Sequence, residues 1–314
     1  MCRCRFVSIF LAFLIVYIIF SGKALATSGQ RYPSGAEDFL CGVAPGPGLY
    51  LVNYSYWYSS SSLRDNDGHD VKVLKFNANI WVDAPRFLYF FPKKIFGAIY
   101  GVYVTAPIYY ADIETKSHGM KIVGDHTSGI GDIVFSPLIL GWHFGKRLHF
   151  IFSFDINAPT GHYDGKNLAT TIISKNYWTF QPNISFSWII GPGIDVSGKF
   201  IYEFHTDNDE YLIPPFFYKT TYSPGSGINL DFAFGVPINP NLRIGLNGFF
   251  YEQLKDDKIK GVAIKDKKVR NFALGPAIKY SGENWAVIFK EQFEIFAKNR
   301  PKGNVTWFKI QYQF

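Results

Sequence analysis

The residues best able to do chemistry in this sequence are seven histidines, two acidic runs and one cysteine, Cys41, beyond the first 26 positions. Their spacing assembles little. His205 and Asp207 could form a surface acid–base dyad, yet no second carboxylate pair or nucleophile is placed beside them. Asp65-Asn66-Asp67-Gly68 with Asp70, and Asp207-Asn208-Asp209-Glu210, resemble pieces of calcium loops without the ligand spacing of an EF-hand. Both read as solvated loops. Cys41 reads as a packed or inert thiol. The sequence therefore predicts no enzyme, no metal and no other cofactor.

The elements that position these residues begin with a leader. Arg3 and Arg5 precede an apolar run from Phe6 to Phe20, and Ala24-Leu25-Ala26 supplies a small-x-small cleavage site. That run makes a helix only ~22 Å long, short of the ~30 Å hydrocarbon core, which favours a cleaved signal over 1–26 rather than an anchor. Removal of Arg3, Arg5 and Lys23 lowers the formal charge from +7 to +4. Much of the basic character leaves with the leader, so nucleic acid is not an expected partner.

Beyond residue 26 the recurring signal is alternation with a period of two. Trp178, Phe180, Pro182, Ile184, Phe186 and Trp188 interleave with Thr179, Gln181, Asn183, Ser185 and Ser187. Leu148, Phe150, Phe152, Phe154 and Ile156 alternate with His149, Ile151, Ser153, Asp155 and Asn157 in the same way. Successive strand side chains point to opposite faces, so each segment is a ribbon with one apolar and one polar side. Aromatics near the ribbon ends suit a bilayer interface, and amides and charges on the other side suit an enclosed wet interior. Roughly twelve such segments are joined alternately by short Gly/Pro/Asn turns and long polar loops, the latter at 60–70, 113–127, 159–175, 206–225, 254–268 and 298–303. The fold class predicted is all-β: a transmembrane antiparallel up-and-down barrel over 49–314. Residues 27–48, too rich in Gly and Pro for a regular element, are expected to plug the lumen or lie in the periplasm. Phe314 ends an alternating strand on an aromatic, resembling the signal read by barrel-assembly machinery.

Parity assigns the lumen Asn53, Lys75, Asn77, Asn79, Asp83, Asp155, Asn157, Asn183, Lys199, Glu203, Asp231, Arg243, Lys290 and Glu294, with the aromatics Trp57, Trp81, Phe249, Tyr251 and Trp307. The inward charges, Lys279, Lys309 and Asp195 included, balance, which predicts mutual pairing rather than a single-sign field. Phe39, Leu40 and Val43 are the apolar anchors of the segment and its expected gate. Glu291 falls on lipid parity, which requires a bulge or an interfacial position.

Several motifs occur in order: Tyr32-Pro33-Ser34-Gly35-Ala36-Glu37-Asp38-Phe39, Pro45-Gly46-Pro47-Gly48-Leu49-Tyr50-Leu51-Val52-Asn53-Tyr54, Gly129-Ile130-Gly131-Asp132-Ile133, Leu140-Gly141-Trp142-His143-Phe144, Ala158-Pro159-Thr160-Gly161-His162-Tyr163 and Asn299-Arg300-Pro301-Lys302-Gly303. Together the chain resembles the family named for the meta-pathway of phenol degradation. The resemblance implies an outer-membrane transporter or channel, akin in role to fatty-acid and aromatic-hydrocarbon transporters whose N-terminal segment plugs the lumen. It implies no phenol-cleaving activity. The expected function is passive uptake of small hydrophobic or aromatic compounds. Expected partners are outer-membrane lipid and lipopolysaccharide, barrel-assembly machinery through Phe314, and a small hydrophobic solute. The alternatives are a closed structural or adhesive barrel and, further off, an outer-membrane hydrolase.

Overall fold

The alternating segments form strands because aromatic and β-branched side chains fit a pleated surface, and the short Gly-containing links supply the tight reversals. The computed structural model describes residues 29–167, 169–213 and 217–314; the expected leader lies outside them. The strands are β1 (Gly48–Leu63), β2 (Leu74–Ile95), β3 (Ala98–Thr105), β4 (Ile108–Ser117), β5 (Met120–Ile130), β6 (Val134–Phe144), β7 (Leu148–Asn157), β8 (Thr179–Ile190), β9 (Ile194–His205), β10 (Asn208–Ile213), β11 (Tyr218–Ser223), β12 (Gly227–Pro237), β13 (Leu242–Gln253), β14 (Lys258–Ile259), β15 (Val262–Ala263), β16 (Arg270–Ser281), β17 (Trp285–Lys298) and β18 (Pro301–Gln313). One helical turn, α1 (Thr170–Ile173), lies in the loop before β8.

The wall is a closed antiparallel barrel of twelve strands, sealed where β1 pairs with both β2 and β18. Two of its strands are broken. β3 and β4 are halves of one strand interrupted at Ala106-Pro107, where proline removes a ladder donor. β5 and β6 are halves of the next, interrupted at Gly131-Asp132-Ile133. Among the described residues β5 pairs with β4 alone. Its other edge has α1 beside it, where the Asp132 N–H donates to the Ile173 carbonyl at 3.2 Å. β10, β11, β14 and β15 form a small second sheet at the long-loop end.

The expected loop at 113–127 is instead the upper part of the β4–β5 hairpin, in register from Ile108↔Ile130 to Ser117↔Met120. Its outward face is polar (Asp112, Glu114, Lys116), and only the small or branched residues Ala111, Ile113, Thr115 and Ser117 turn inward, so the contrast that marks a strand is weak there.

Outward-facing aromatics form two bands. Trp57, Trp81 and Tyr110 share one row by register, and Tyr89, Trp285 and Tyr312 lie near the short-turn end. From Trp81 to Tyr89 is about 26 Å along the strand and, after the usual tilt, about 20 Å along the axis, close to the apolar band of such barrels. Glu291 pairs with Thr306, which itself lies opposite Trp57. It therefore sits level with the aromatic band, at an interface rather than in mid-bilayer.

The faces of β1 and β2 are the reverse of the sequence expectation. Tyr54, Tyr58, Phe76, Ala78 and Val82 are buried inside, while Trp57 and Trp81 are 46% and 51% exposed on the outside. Alternation then puts Asn53, Lys75, Asn77, Asn79 and Asp83 on the outer face. Two causes defeat the rule of apolar side outward. Lys75, Asn77 and Asn79 lie beyond the Trp57–Trp81 band, so their outward face meets water rather than lipid. Asp83 and Asn53 lie below the band but satisfy each other: the Asn53 amide and the Ser55 hydroxyl both donate to one Asp83 oxygen, at 2.7 and 2.5 Å.

Candidate functional site

The interior is occupied by residues 29–47, which descend from the long-loop end to the start of β1. The segment is rich in Gly and Pro, so its backbone groups find no ladder partner and must be satisfied by side chains of the wall. At the top, the Arg31 guanidinium bonds the Asp132 carboxylate, and the N–H groups of Arg31 and Tyr32 donate to Glu203 at 3.2 and 3.4 Å. One step down, Asp231 accepts the Tyr32 hydroxyl at 2.8 Å and the N–H groups of Gly35 and Glu37 at 2.7 and 3.0 Å. Lys290 makes the complementary contact. Its ammonium donates to the carbonyls of Gly35, Ala36 and Glu37 at 2.6, 3.0 and 3.1 Å. Gly35 has φ +84°, and a Cβ there would collide with the Gln292 amide, so the turn between these two clamps requires glycine.

Glu37 and Asp38 carry the segment's charge. Lys309 reaches both, at 3.1 and 3.0 Å, Arg86 and Lys199 reach Glu37 at 3.5 and 3.9 Å, and Lys290 reaches Asp38 at 3.7 Å. Below them the Leu40 N–H donates to Asp195 and Ser197, both at 3.1 Å, and the Gly42 N–H to Ser187 at 2.8 Å. Phe39 packs on Ala233 and Ala277, while Leu40 and Val43 face a cavity.

The inner-face residues of β7 to β18 named from the sequence fall within this network. Asp155 lies 3.6 Å from Lys199 and accepts the Asn183 amide at 3.0 Å, and Asn157 donates to Gln181 at 3.0 Å. Arg243 is 3.9 Å from Asp195, and Glu294 accepts from Asn271, Arg300 and the Gly303 N–H. Phe249, Tyr251 and Trp307 are buried inside as well. Sequence reasoning missed Arg31, Asp132, Arg86, Gln292 and the roles of Glu37 and Asp38. Two adjacent acids in a segment otherwise built of Gly, Pro and apolar residues were the available signal.

Three cavities run beside the segment; the upper two adjoin β1–β4, and the third reaches β6–β9 and β16–β18 as well. The first, about 340 Å³, opens at the long-loop end and includes Tyr56, Phe76, Tyr109, Ile113, Lys175 and Trp307. The middle one, about 70 Å³, lies among Tyr54, Tyr56, Val82, Arg86, Tyr103 and Asp155. The third, about 390 Å³, opens at the short-turn end and is lined by Leu40, Leu88, Phe90, Ile139, Lys279 and Lys309, among others. Adjacent cavities share walls: Tyr56, Tyr109 and Trp307 above, Tyr54, Arg86 and Tyr103 below. At the lower junction the Arg86 guanidinium lies between the Tyr54 and Tyr103 rings, 4.6 and 4.4 Å from their centroids. In the outer loop, burial pulls the Lys175 amine down to about 8, with Arg31 adding to the effect.

No catalytic dyad forms at His205. Its Nδ1 pairs with the Thr179 hydroxyl at 2.8 Å rather than with Asp207. Asp65, Asp67 and His69 do converge, but in a turn where one Asp65 oxygen accepts the N–H groups of Asp67 and His69, both at 2.9 Å.

A closed twelve-strand barrel with aromatic bands outside and an ion-paired segment inside has the fold of an outer-membrane channel. Over residues 60–310 the chain matches the model of the family described as "Putative MetA-pathway of phenol degradation", and it belongs to that family. Its structure is similar to the crystal structure of the COG4313 outer membrane channel from Pseudomonas putida F1, with a TM-score of 0.74 at 14% identity, covering 91% of this chain and 100% of that one. It also overlays on the Ralstonia pickettii toluene transporter TbuX with a TM-score of 0.44 at 9% identity, over 94% and 100% of the two chains. No curated protein sequence matches the chain.

Proposed function

We propose that this protein is a channel of the bacterial outer membrane for passive uptake of small hydrophobic or aromatic compounds. The observation that carries this reading is the string of three cavities on the aromatic side of the lumen, joined through shared tyrosine and Trp307 walls. Polar groups that face the segment hold it in place, while apolar surface is left facing the cavities, which suits a solute with a greasy body. The 70 Å³ waist at Arg86 is the gate on this reading; below it Phe39 anchors the segment, and Leu40 and Val43 line the lower cavity. The concentration gradient supplies the driving force. Catalysis is not part of the proposal, since His205 and Asp207 stay apart.

On the same reading the leader is removed near Ala26, the outward aromatic bands meet lipid, the long loops meet lipopolysaccharide, and Phe314 presents the assembly signal. A closed structural or adhesive barrel is the second reading, favoured by the density of bonds to the segment. Vesicles with a lipopolysaccharide outer leaflet separate the two. The intact protein should speed naphthalene uptake several-fold over empty vesicles, and removal of residues 27–48 should speed it further. Uptake equal to that of empty vesicles with both proteins would support the closed barrel, provided that unboiled gel mobility shows both folded.

A further inference from the structure

Among the charged groups that line the three cavities, ion pairing is close to complete. Of the acids lining the three cavities, Glu37, Asp38, Asp132, Asp155 and Glu294 each have a cation within 4.0 Å, and the remaining one, Glu283, lies in the turn at the lower mouth. Of the cations, Arg31, Arg86, Lys199, Arg300 and Lys309 are paired in the same way. Among the described residues Lys175 and Lys279 are the lining cations without an ion-pair partner. Each of the two large cavities holds one of them.

Register explains Lys279. Arg243, Lys279, Ile288 and Lys309 form one inward row across β13, β16, β17 and β18. Asp195 lies within ion-pair distance of Arg243, and Glu37 and Asp38 of Lys309. The segment offers no third acid, so the middle ammonium faces a cavity whose other walls include Leu40, Leu88, Phe90 and Ile139. Lys175 stands likewise beside Phe76, Ile113 and Trp307. A partly desolvated ammonium with no acid within ion-pair distance is costly, and an apolar wall repels a fully hydrated ion. One kind of guest satisfies both: a body that covers the wall and a single acid group that meets the ammonium.

We propose that the solutes of this pathway are amphipathic organic anions, aromatic or aliphatic bodies bearing one carboxylate, which Lys175 receives in the outer cavity and Lys279 in the lower one. The proposal rests on the channel reading and narrows it. Lys175 remains mostly protonated at pH 7 with its amine near 8, and a bound carboxylate would favour the charged form further. Neutral hydrocarbons would fit the walls but leave both ammonium groups without a close ion-pair partner.

Calorimetry on the full-length mature protein in zwitterionic nanodiscs, with 4-phenylbutyrate and 4-phenyl-1-butanol as probes at pH 7, tests this. The acid should bind about tenfold more tightly than the alcohol. Lys279→Met and Lys175→Met should each reduce that ratio, and the double variant should bring it within about twofold of unity. Lys279→Arg, which keeps the charge, should retain it, as should Lys75→Met on the outer face. Alcohol binding as tight as acid binding, or a ratio unchanged in the double variant, would overturn the anion assignment and leave the hydrophobic channel intact. If neither probe bound, the channel reading would fall with it. Unboiled gel mobility confirms that each variant is folded.

Discussion

The two sides of the lumen handle the same segment in opposite ways. From β8 round to β18 the wall presents Glu203, Asp231, Asn247, Lys290 and Lys309, and its side chains bond the N–H groups of residues 31, 32, 35, 37, 40 and 42 and the carbonyls of 35, 36 and 37. From β1 to β4 the wall presents Tyr54, Tyr56, Phe76, Val82 and Tyr103, and the segment meets it through Glu37 and through Tyr32 and Ala36, which pack with Tyr54 and Tyr58, with few hydrogen bonds. One wall therefore fixes the segment, and the other leaves room beside it. A plug bonded equally on all sides would leave no route. Asymmetry of bonding is what lets an occupied barrel still contain a path.

This contrast can be broken most forcefully at Asp231. Replacing it with Ala strands the Tyr32 hydroxyl and two buried N–H groups, which should weaken local protection of residues 35–40 by about 3 kcal/mol, or roughly a hundredfold in amide exchange rate. Exchange mass spectrometry reads this directly, and an unchanged rate would mean that the clamp wall does not hold the segment. Arg86 tests the other wall. Arg86→Met removes two ring contacts and the pair with Glu37, an effect of about 1–2 kcal/mol, and should widen the waist enough for a several-fold rise in single-channel conductance. Conductance at the wild-type level would place the constriction elsewhere. The smallest effect is expected at Asn79, on the outer face. Asn79→Ala should change stability by less than about 0.5 kcal/mol and leave solute uptake untouched, and altered uptake would return that residue to the interior.

Legibility in the sequence follows the same division. β7, β8, β9 and β12 could be read residue by residue, because lipid on one side and polar partners on the other give each parity a distinct composition. Asp155, Asn183, Lys199 and Asp231 accordingly lie inside. β1 and β2 could not be read in this way. Their inward face is apolar because it borders cavities, and part of their outward face is polar because it rises above the aromatic band, so composition pointed the wrong way for Asn53, Lys75, Asn77, Asn79 and Asp83. Tyr54, Tyr56 and Tyr58, which alternate with Ser55 and Trp57, carried the better signal: a run of tyrosines suits a wall whose rings pack while their hydroxyls bond.

By itself the sequence determined the strand ribbons, the short turns between them and the number of wall strands, because pleat and turn conformation are set by neighbouring residues. Only the tertiary structure decided which face of β1 and β2 turns inward, and that Glu37 and Asp38 meet Lys199, Lys290 and Lys309 from strands far along the chain. A face has no inside until the ring closes, and an ion pair between distant residues has no signature in either one's neighbours.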